Sequence, residues 1–138
     1  MQNHELGQSK EDYLEAIEVV RQQNGACRLT DVAEYLHFSK PSVSIALRKL
    51  EDEGYVRHED WQVVLTGKGQ EIADRTLEKH RFFRALFESI GIPKERANEE
   101  ACAVEHVISE ESFRLMVRHW GNPAKEPEGA EKKQSACG

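Results

Sequence analysis

Apolar residues recur every three or four positions along most of the first 120 residues, which is the spacing of amphipathic helices. The first such stretch is residues 9–23, with Ser9 as a candidate N-cap and an Asn-Gly break after it. The second is residues 30–38, with Thr30 or its neighbour as the cap. The pattern therefore predicts two helices at the start of the chain, joined by a short turn.

A third helix and a hairpin are predicted next. Ser39 suits a helix N-cap, Pro41 suits the first helical turn, where its missing N–H has no helical partner, and Gly54 marks the stop. Two short apolar stretches, residues 55–58 and 62–66, flank an acidic turn and predict a β-hairpin. The order of helix, helix, turn, helix and hairpin is that of a winged helix-turn-helix.

Three more helices are predicted after the hairpin. Residues 68–90 form one long helix that ends at Gly91, the next helix begins at Pro93, and Ser109 caps the last one. The apolar stripe of the long helix consists of Ile72, Ala73, Thr76, Leu77, Phe83, Phe87 and Ile90. The apolar faces of the other two helices consist of Ala97, Ala101, Val104 and Ile108, and of Phe113, Met116, Val117 and Trp120.

These elements predict a mainly α fold with a small β-hairpin wing. We expect an N-terminal winged helix-turn-helix domain in residues 1–66 and a helical C-terminal domain in residues 67–121. Residues 122–138 are polar, contain two prolines and lack aromatic and β-branched side chains, so we expect a disordered tail.

Composition narrows the class of protein further. With 32% charged and 38% hydrophobic residues, the chain has the composition of a soluble globular protein. No apolar run approaches membrane-spanning length and the N-terminus lacks a signal-peptide core, so we expect a cytoplasmic protein without a membrane partner. Three cysteines without a CxxC pair argue against a disulfide framework and against a cysteine-based zinc finger.

The third predicted helix carries hydroxyl and cationic side chains that can reach base edges and phosphates in the major groove of DNA. The formal net charge of −6 opposes non-specific binding, so a DNA-binding role requires the acidic residues to cluster away from this face. The alternatives are an ordinary solvated helix face and a winged helix that binds protein. The candidate DNA-binding residues are Arg28, Ser39, Lys40, Pro41, Ser42, Ser44 and Arg48.

Potential metal ligands occur on three of the predicted helices. On one helix Cys102, Glu105 and His106 share an arc of about 100°. If the helices meet, five or six ligands converge from Asp12, Glu15, His80, Cys102, Glu105 and His106. Carboxylate and imidazole suit Mn²⁺ and Fe²⁺, whereas a lone thiolate favours Fe²⁺, Co²⁺ or Zn²⁺. The alternative is a buried polar network with no metal.

Four stretches together resemble the diphtheria toxin repressor family of metal-dependent transcription regulators, which includes the manganese transport regulators. They are EDYLE at 11–15, SKPSVSIALRKLEDEGYV at 39–56, LTGKGQEIADRTLEKHR at 65–81 and EACAVEHVIS at 100–109. The resemblance implies a winged helix that reads a palindromic operator, helices that form a homodimer, and metal bound between the domains. The chain resembles the short form of the family, which lacks the SH3-like third domain.

The resemblance also implies roles for individual ligands. Asp12 and Glu15 match the acidic pair of the manganese-sensing branch, and His80 matches the long-helix ligand. Glu105 and His106 match ligands of both branches.

Three positions depart from one branch or the other. Cys102 matches the cysteine of the iron-sensing branch, where manganese sensors have a glutamate, which argues against a two-manganese cluster. Arg84 and Asn98 stand where a second site of the iron sensors has a carboxylate and a histidine, so we expect that site to be absent.

The resemblance therefore implies a metal-dependent transcriptional regulator, expected to repress metal-uptake genes when loaded with Mn²⁺ or Fe²⁺. Zn²⁺ or Co²⁺ can substitute in vitro. The expected partners are double-stranded operator DNA and a second copy of the chain, with no small-molecule substrate. One alternative is a metal-independent winged-helix dimer. Another is a zinc enzyme, against which no separate general base or oxyanion device is visible. We therefore expect no enzyme activity and assign no catalytic residue.

Overall fold

A computed structural model describes residues 2–123, with side chains from residue 10 onward. Within that range the chain forms six helices and one two-stranded antiparallel sheet. The elements are α1 (Gln2–Asn24), α2 (Leu29–Leu36), α3 (Lys40–Asp52), β1 (Val56–Glu59), β2 (Gln62–Leu65), α4 (Gly67–Ser89), α5 (Lys94–Glu105) and α6 (Glu110–Trp120). The predicted fold class, mainly helical with a β-hairpin wing, is confirmed.

Two compact units divide the described chain, one ending at Arg75 and the other beginning at Thr76, within α4. The predicted domain limits at residues 66 and 121 stay predictions. Nearly all of the predicted tail, residues 124–138, lies outside the described residues.

The N-terminal unit has a core in which α1, α2, α3 and the hairpin meet. Leu14 and Ile17 of α1 are fully buried in the same cluster as Val32 of α2 and Leu47 of α3. In the hairpin, Val56 pairs with Leu65 and Glu59 with Gln62. The Val63 N–H donates to the carbonyl of Cys27 at 2.8 Å, which attaches the wing to the segment before α2.

The C-terminal unit has an aromatic core. Phe82 of α4 packs edge-on against Phe83 and against Phe113 of α6, with ring centroids 5.0 and 5.2 Å apart. Ala101 of α5 is buried in the same cluster. Edge-to-face aromatic pairs stabilise a core beyond their buried area.

The starts of the first two helices differ from prediction. Helix α1 begins at Gln2, so Ser9 lies inside it rather than at its N-cap. Serine is tolerated in helix interiors, so its presence at position 9 does not require the helix to start there. Helix α2 begins at Leu29 with Arg28 as its N-cap, not Thr30. The Asp31 carboxylate accepts the Arg28 backbone N–H at 2.9 Å, which moves the start towards the N-terminus.

The C-terminal helices also differ in detail. Ile90 and Trp120, expected on buried faces, are 70% and 61% exposed, whereas Phe82, outside the predicted stripe, is fully buried. Residues of both α5 and α6 pack near this part of α4, so two adjacent phenylalanines are covered. Helix α5 ends at Glu105, so His106 is its C-cap rather than an interior residue. The remaining boundaries, including those of both strands, agree with prediction within two residues.

Candidate metal centre and nucleic-acid interface

Three predicted metal ligands of the C-terminal unit lie together around one carboxylate. The Nδ1 atom of His80 on α4 is 2.9 Å from Oε1 of Glu105, at the end of α5. The Nε2 atom of His106 is 3.3 Å from Oε2 of the same carboxylate. The side chains of His80 and Glu105 are at most 1% exposed. Glu105 therefore has an imidazole near each of its oxygens in a buried environment.

The spacing within each imidazole–carboxylate pair, and the chemistry of these donors, suit the binding of divalent metal ions. Metal–nitrogen and metal–oxygen bonds of about 2.1 Å place neighbouring ligands about 3 Å apart when they subtend a right angle. The separations of 2.9 and 3.3 Å match that requirement. A buried carboxylate also needs positive charge nearby, which either a protonated imidazole or a metal cation supplies. Carboxylate with imidazole is a donor set for first-row transition metals.

The sulfur of Cys102 lies near the same group. Its Sγ atom and a ring nitrogen of His106 are within 4.8 Å of each other. Cys102 is disulfide-bonded in the structure. Because thiolate is the form of cysteine that binds metal, Cys102 can serve as a ligand only after reduction.

Two predicted ligands, Asp12 and Glu15, belong to the N-terminal unit. They lie one turn apart on α1, where Asp12 is half-buried and Glu15 is fully buried. Burial, and then the charge of Asp12, raise the pKa of the neighbouring Tyr13 hydroxyl.

Glu18, the next acidic residue along α1, is also buried and was missed by the sequence analysis. Its carboxylate accepts hydrogen bonds from Gln70, Arg21 and Gln22. Burial works to raise the pKa of Glu18, but these bonds outweigh it and leave the pKa below its usual value. Glu18 is therefore stabilised in its charged form by protein donors.

Asn98 lies against a predicted ligand. Asn98 lies on α5, and its Oδ1 atom is 2.9 Å from Nε2 of His80, on the side of the ring away from Glu105. The sequence analysis treated this asparagine only as a missing ligand. The i, i+7 spacing of Asn98 and Glu105 places both on one helix face, and this spacing was the feature of the sequence that could have indicated that Asn98 lies near the ligands.

The predicted DNA-binding residues of α3 occupy its exposed face. Ser39, Lys40, Pro41, Ser42 and Arg48 are exposed and Ser44 is half-buried. The opposite side of α3 is buried through Val43, Leu47 and Leu50. Ser39 is the N-cap, as predicted, and its Oγ accepts the Ser42 N–H at 3.3 Å.

Ile45 also lies on this face, with 67% of its surface exposed. The sequence analysis did not select it. Ile45 falls outside the apolar stripe of α3, and this position could have indicated from the sequence that its side chain is exposed. An exposed aliphatic side chain on such a helix can contact a thymine methyl group.

In the N-terminal unit, acidic side chains cluster away from the exposed cations of α3, as a DNA-binding role requires. Glu51 pairs with His58 at 3.0 Å and Glu53 with Lys10 at 3.6 Å, while Glu59 pairs with Arg57. By contrast, among the described residues the cations of α3, Lys40, Arg48 and Lys49, form no ion pair. The exposed face of α3 is thus locally positive although the chain is acidic.

Arg28 stands at the N-terminus of α2 and contacts the wing. Its guanidinium lies over the Trp61 ring, 5.6 Å from the centroid, and 3.8 Å from the Asp31 carboxylate. Trp61 itself remains 62% exposed. Trp61 therefore lies at the wing tip beneath an arginine.

Comparison with models of known protein families shows which family this chain belongs to. A model described as the iron dependent repressor N-terminal DNA binding domain matches residues 5–62. A second, the iron dependent repressor metal binding and dimerisation domain, matches residues 66–134. The chain belongs to the diphtheria toxin repressor family. The resemblance inferred from its sequence motifs is thereby confirmed.

Individual members of this family are similar over most of the chain. An uncharacterized HTH-type transcriptional regulator of Methanocaldococcus jannaschii is 37% identical over 109 residues, which are 77% of this chain and 87% of that protein. The iron-dependent repressor IdeR of Mycobacterium tuberculosis (strain H37Rv) is 35% identical over 128 residues, 91% of this chain and 56% of IdeR. The HTH-type transcriptional regulator MntR of Bacillus subtilis (strain 168) is 31% identical over 102 residues, 73% of this chain and 72% of MntR.

The crystal structure of T. acidophilum IdeR is similar in fold, with a TM-score of 0.71 and 32% identity over 88% of this chain and 62% of that one. This diphtheria toxin repressor family member therefore spans little more than half the length of the IdeR proteins it matches. The relatives are transcription regulators, not enzymes. Among the described helices, none has the length and apolar character needed to cross a bilayer.

Proposed function

We propose that this protein is a metal-dependent transcriptional repressor that binds a palindromic operator as a homodimer when loaded with a divalent ion. The observation that carries the proposal is a pair of imidazole–carboxylate contacts between buried side chains, His80 with one oxygen of Glu105 and His106 with the other. A DNA-binding domain whose α3 cations form no ion pair within the described part of the chain supports it from the other unit. Family membership supports both roles.

The proposed metal is Mn²⁺ or Fe²⁺, with Zn²⁺ and Co²⁺ as substitutes in vitro. Similarity to the iron-dependent repressor IdeR supports iron, and similarity to the solved structure of the manganese regulator SloR supports manganese. Affinity alone favours Zn²⁺ over both, so metal choice depends on the donor set and on metal supply. The proposed ligands are Asp12, Glu15, His80, reduced Cys102, Glu105 and His106.

The proposed DNA contacts come from α3 and the start of α2. The cations Arg28, Lys40 and Arg48 bind phosphates or guanine edges, while Ser39 and Ser42 are suited to phosphate oxygens. Pro41 and Ser44 complete the proposed contact surface. The functional domains are residues 1–66 for DNA and residues 67–121 for metal binding and dimerisation, in a cytoplasmic protein.

Metal and DNA are coupled in this proposal through the dimer. A bound ion supplies two positive charges that offset the buried carboxylates. The carboxylate of Glu105 and the imidazoles of His80 and His106 hold α4 and the end of α5 in one arrangement. A two-fold operator requires the two recognition helices of the dimer at a set separation. If metal has already ordered the dimer, DNA binding no longer has to overcome the loss of conformational entropy that this ordering costs.

The deciding experiment measures binding of the purified protein to DNA from upstream of its own gene, under anaerobic conditions with a reducing agent. Reduction keeps Cys102 available as a thiolate. Binding is measured with EDTA and then with Mn²⁺, Fe²⁺ or Zn²⁺ added separately. We expect binding only with metal, which also ranks the metals. Equal binding in EDTA and in metal would show a metal-independent winged-helix protein and overturn the proposal.

A further inference from the structure

His80 has a different partner at each ring nitrogen. Its Nδ1 faces a carboxylate oxygen of Glu105 and its Nε2 faces the amide oxygen of Asn98, both at 2.9 Å. Asn98 and Glu105 are two turns apart on the same face of α5, so the imidazole ring spans the distance between them. Ala101, which lies between them on that face, is fully buried.

Both of these partners are hydrogen-bond acceptors, whereas a neutral imidazole carries one N–H hydrogen. When that hydrogen is on Nε2, Asn98 accepts it and the Nδ1 lone pair faces Glu105. A lone pair facing a carboxylate at 2.9 Å is repulsive unless a positive charge lies near both atoms. A metal ion held by His80 and Glu105 would supply that charge.

We propose that Asn98 is a positioning residue of the metal centre, which holds the hydrogen of His80 on Nε2 and directs the Nδ1 lone pair towards the metal. This inference rests on the proposed metal-binding function. It assigns Asn98 a role that differs from that of a ligand. Outer partners of this kind fix the tautomer and ring orientation of metal-binding histidines.

An asparagine suits this position because its amide can both accept and donate a hydrogen bond. In the metal-bound protein the amide oxygen accepts the Nε2 hydrogen. Without metal, a half-turn of the amide lets its NH₂ group donate to Nε2 while the Nδ1 hydrogen bonds to Glu105. Aspartate at this position retains the accepting function, and leucine, of similar size, retains neither.

The test combines the native protein with two variants, all reduced and loaded with Zn²⁺, which is diamagnetic and suits NMR. In the native protein we expect ¹⁵N–¹H correlation spectra to show the His80 hydrogen on Nε2 and Nδ1 bound to zinc. We expect Asn98→Leu to weaken zinc binding by about 10- to 100-fold in a chelator competition, and Asn98→Asp to retain native affinity within a few-fold. Glu99→Leu, at the adjacent exposed position, is the control and should leave zinc affinity unchanged.

Each result bears on the inference in a definite way. A native spectrum with zinc on Nε2 of His80 overturns it without requiring any variant to fold. Unchanged zinc affinity in Asn98→Leu also overturns it while leaving the proposed function intact. Absence of zinc binding by the native protein overturns the proposed function and this inference together.

Discussion

The two buried carboxylates of Glu18 and Glu105 are surrounded by different chemical groups, and these groups decide what each carboxylate can do. Glu18 accepts hydrogen bonds from three protein side chains, which hold it in its charged form. Glu105 instead has an imidazole nitrogen near each oxygen. Imidazoles release a proton readily and bind metals, so the surroundings of Glu105 can exchange protons for a cation, whereas those of Glu18 cannot.

We predict that Glu105→Gln lowers affinity for Mn²⁺ and Zn²⁺ by at least about tenfold, because the amide keeps the shape but loses the charge that binds the ion. Titration calorimetry or chelator competition on the reduced protein measures the change. Glu99→Gln, an exposed carboxylate on the same helix, is the matched control. Equal metal affinity in the native protein and Glu105→Gln would remove Glu105 from the ligand set.

Cys27 provides a prediction that depends on pH. Burial, and then the charge of Asp31, raise the pKa of the Cys27 thiol to about 12. The thiol of the unfolded chain has a pKa of about 8.5. The folded state therefore holds this proton more strongly, and the stability gained from the buried neutral thiol is complete below pH 8.5 and declines as the pH rises towards 12. We expect Cys27 to resist iodoacetamide at pH 8 in the folded protein and to react after denaturation, as followed by mass spectrometry of each cysteine peptide. Labelling of native Cys27 at the rate of the unfolded chain would contradict this.

At the scale of elements, α3 and α6 begin with the same capping arrangement. The Ser39 Oγ accepts the Ser42 N–H at 3.3 Å, and the Ser109 Oγ accepts the Ser112 N–H at 3.0 Å. Both pairs were visible in the sequence as Ser-x-x-Ser, because a cap depends on residues three positions apart. Of the two helices, only α3 is proposed to bind DNA with its exposed face.

We predict that Ser39→Ala and Ser109→Ala each lower the free energy of unfolding by about 1 kcal/mol, as loss of an N-cap does. Only Ser39→Ala should weaken operator binding at saturating metal, because its hydroxyl lies on the proposed DNA face. Urea unfolding and a DNA-binding titration measure the two effects. If both variants lose DNA affinity equally, Ser39 acts through stability alone.

The start of α4 shows a constraint that arises between elements. A Cβ atom built on Gly69 would lie 2.1 Å from the Tyr55 carbonyl oxygen, whereas one on Gly67 meets nothing within 4 Å. We predict that Gly69→Ala destabilises the protein by about 1–3 kcal/mol through overpacking. Gly67→Ala should be neutral or slightly stabilising, because it reduces the entropy of the unfolded chain. Equal unfolding midpoints in urea for the two variants would show that the close approach relaxes freely.

At the scale of the whole molecule, the acidic balance of −6 is compatible with DNA binding because the charges are sorted. Near the end of α3 and in the hairpin, Glu53 and Glu59 are paired with lysine and arginine side chains. The buried carboxylates of Glu15 and Glu105 belong to the proposed metal centre. The proposed effect of metal on DNA affinity is a coupling between the binding of two ligands and does not depend on net charge alone. Such coupling must be reciprocal.

We predict that saturating operator DNA raises metal affinity by the same factor by which metal raises operator affinity, in the range of about 5- to 150-fold. Metal titrations with operator, and with a scrambled duplex of equal length as control, measure this factor. Metal affinity that does not change in saturating operator would refute the coupling.

Local patterns in the sequence determined the six described helices, the wing, the cap at Ser39 and the pairing of Glu105 with His106 along the chain. Each depends on residues within one or two turns, so periodicity and capping chemistry are sufficient. The family motifs added the proposed roles of these residues, because they preserve side-chain chemistry at set spacings.

Only the tertiary structure decided which elements meet. It buried Phe82, exposed Ile90 and Trp120, brought the Tyr55 carbonyl close to Gly69, and placed Asn98 against His80. These outcomes depend on packing between residues distant in sequence, where no local period records which side chain a face will contact. The role proposed for Asn98 follows from such a contact, 18 residues along the chain and 2.9 Å across it.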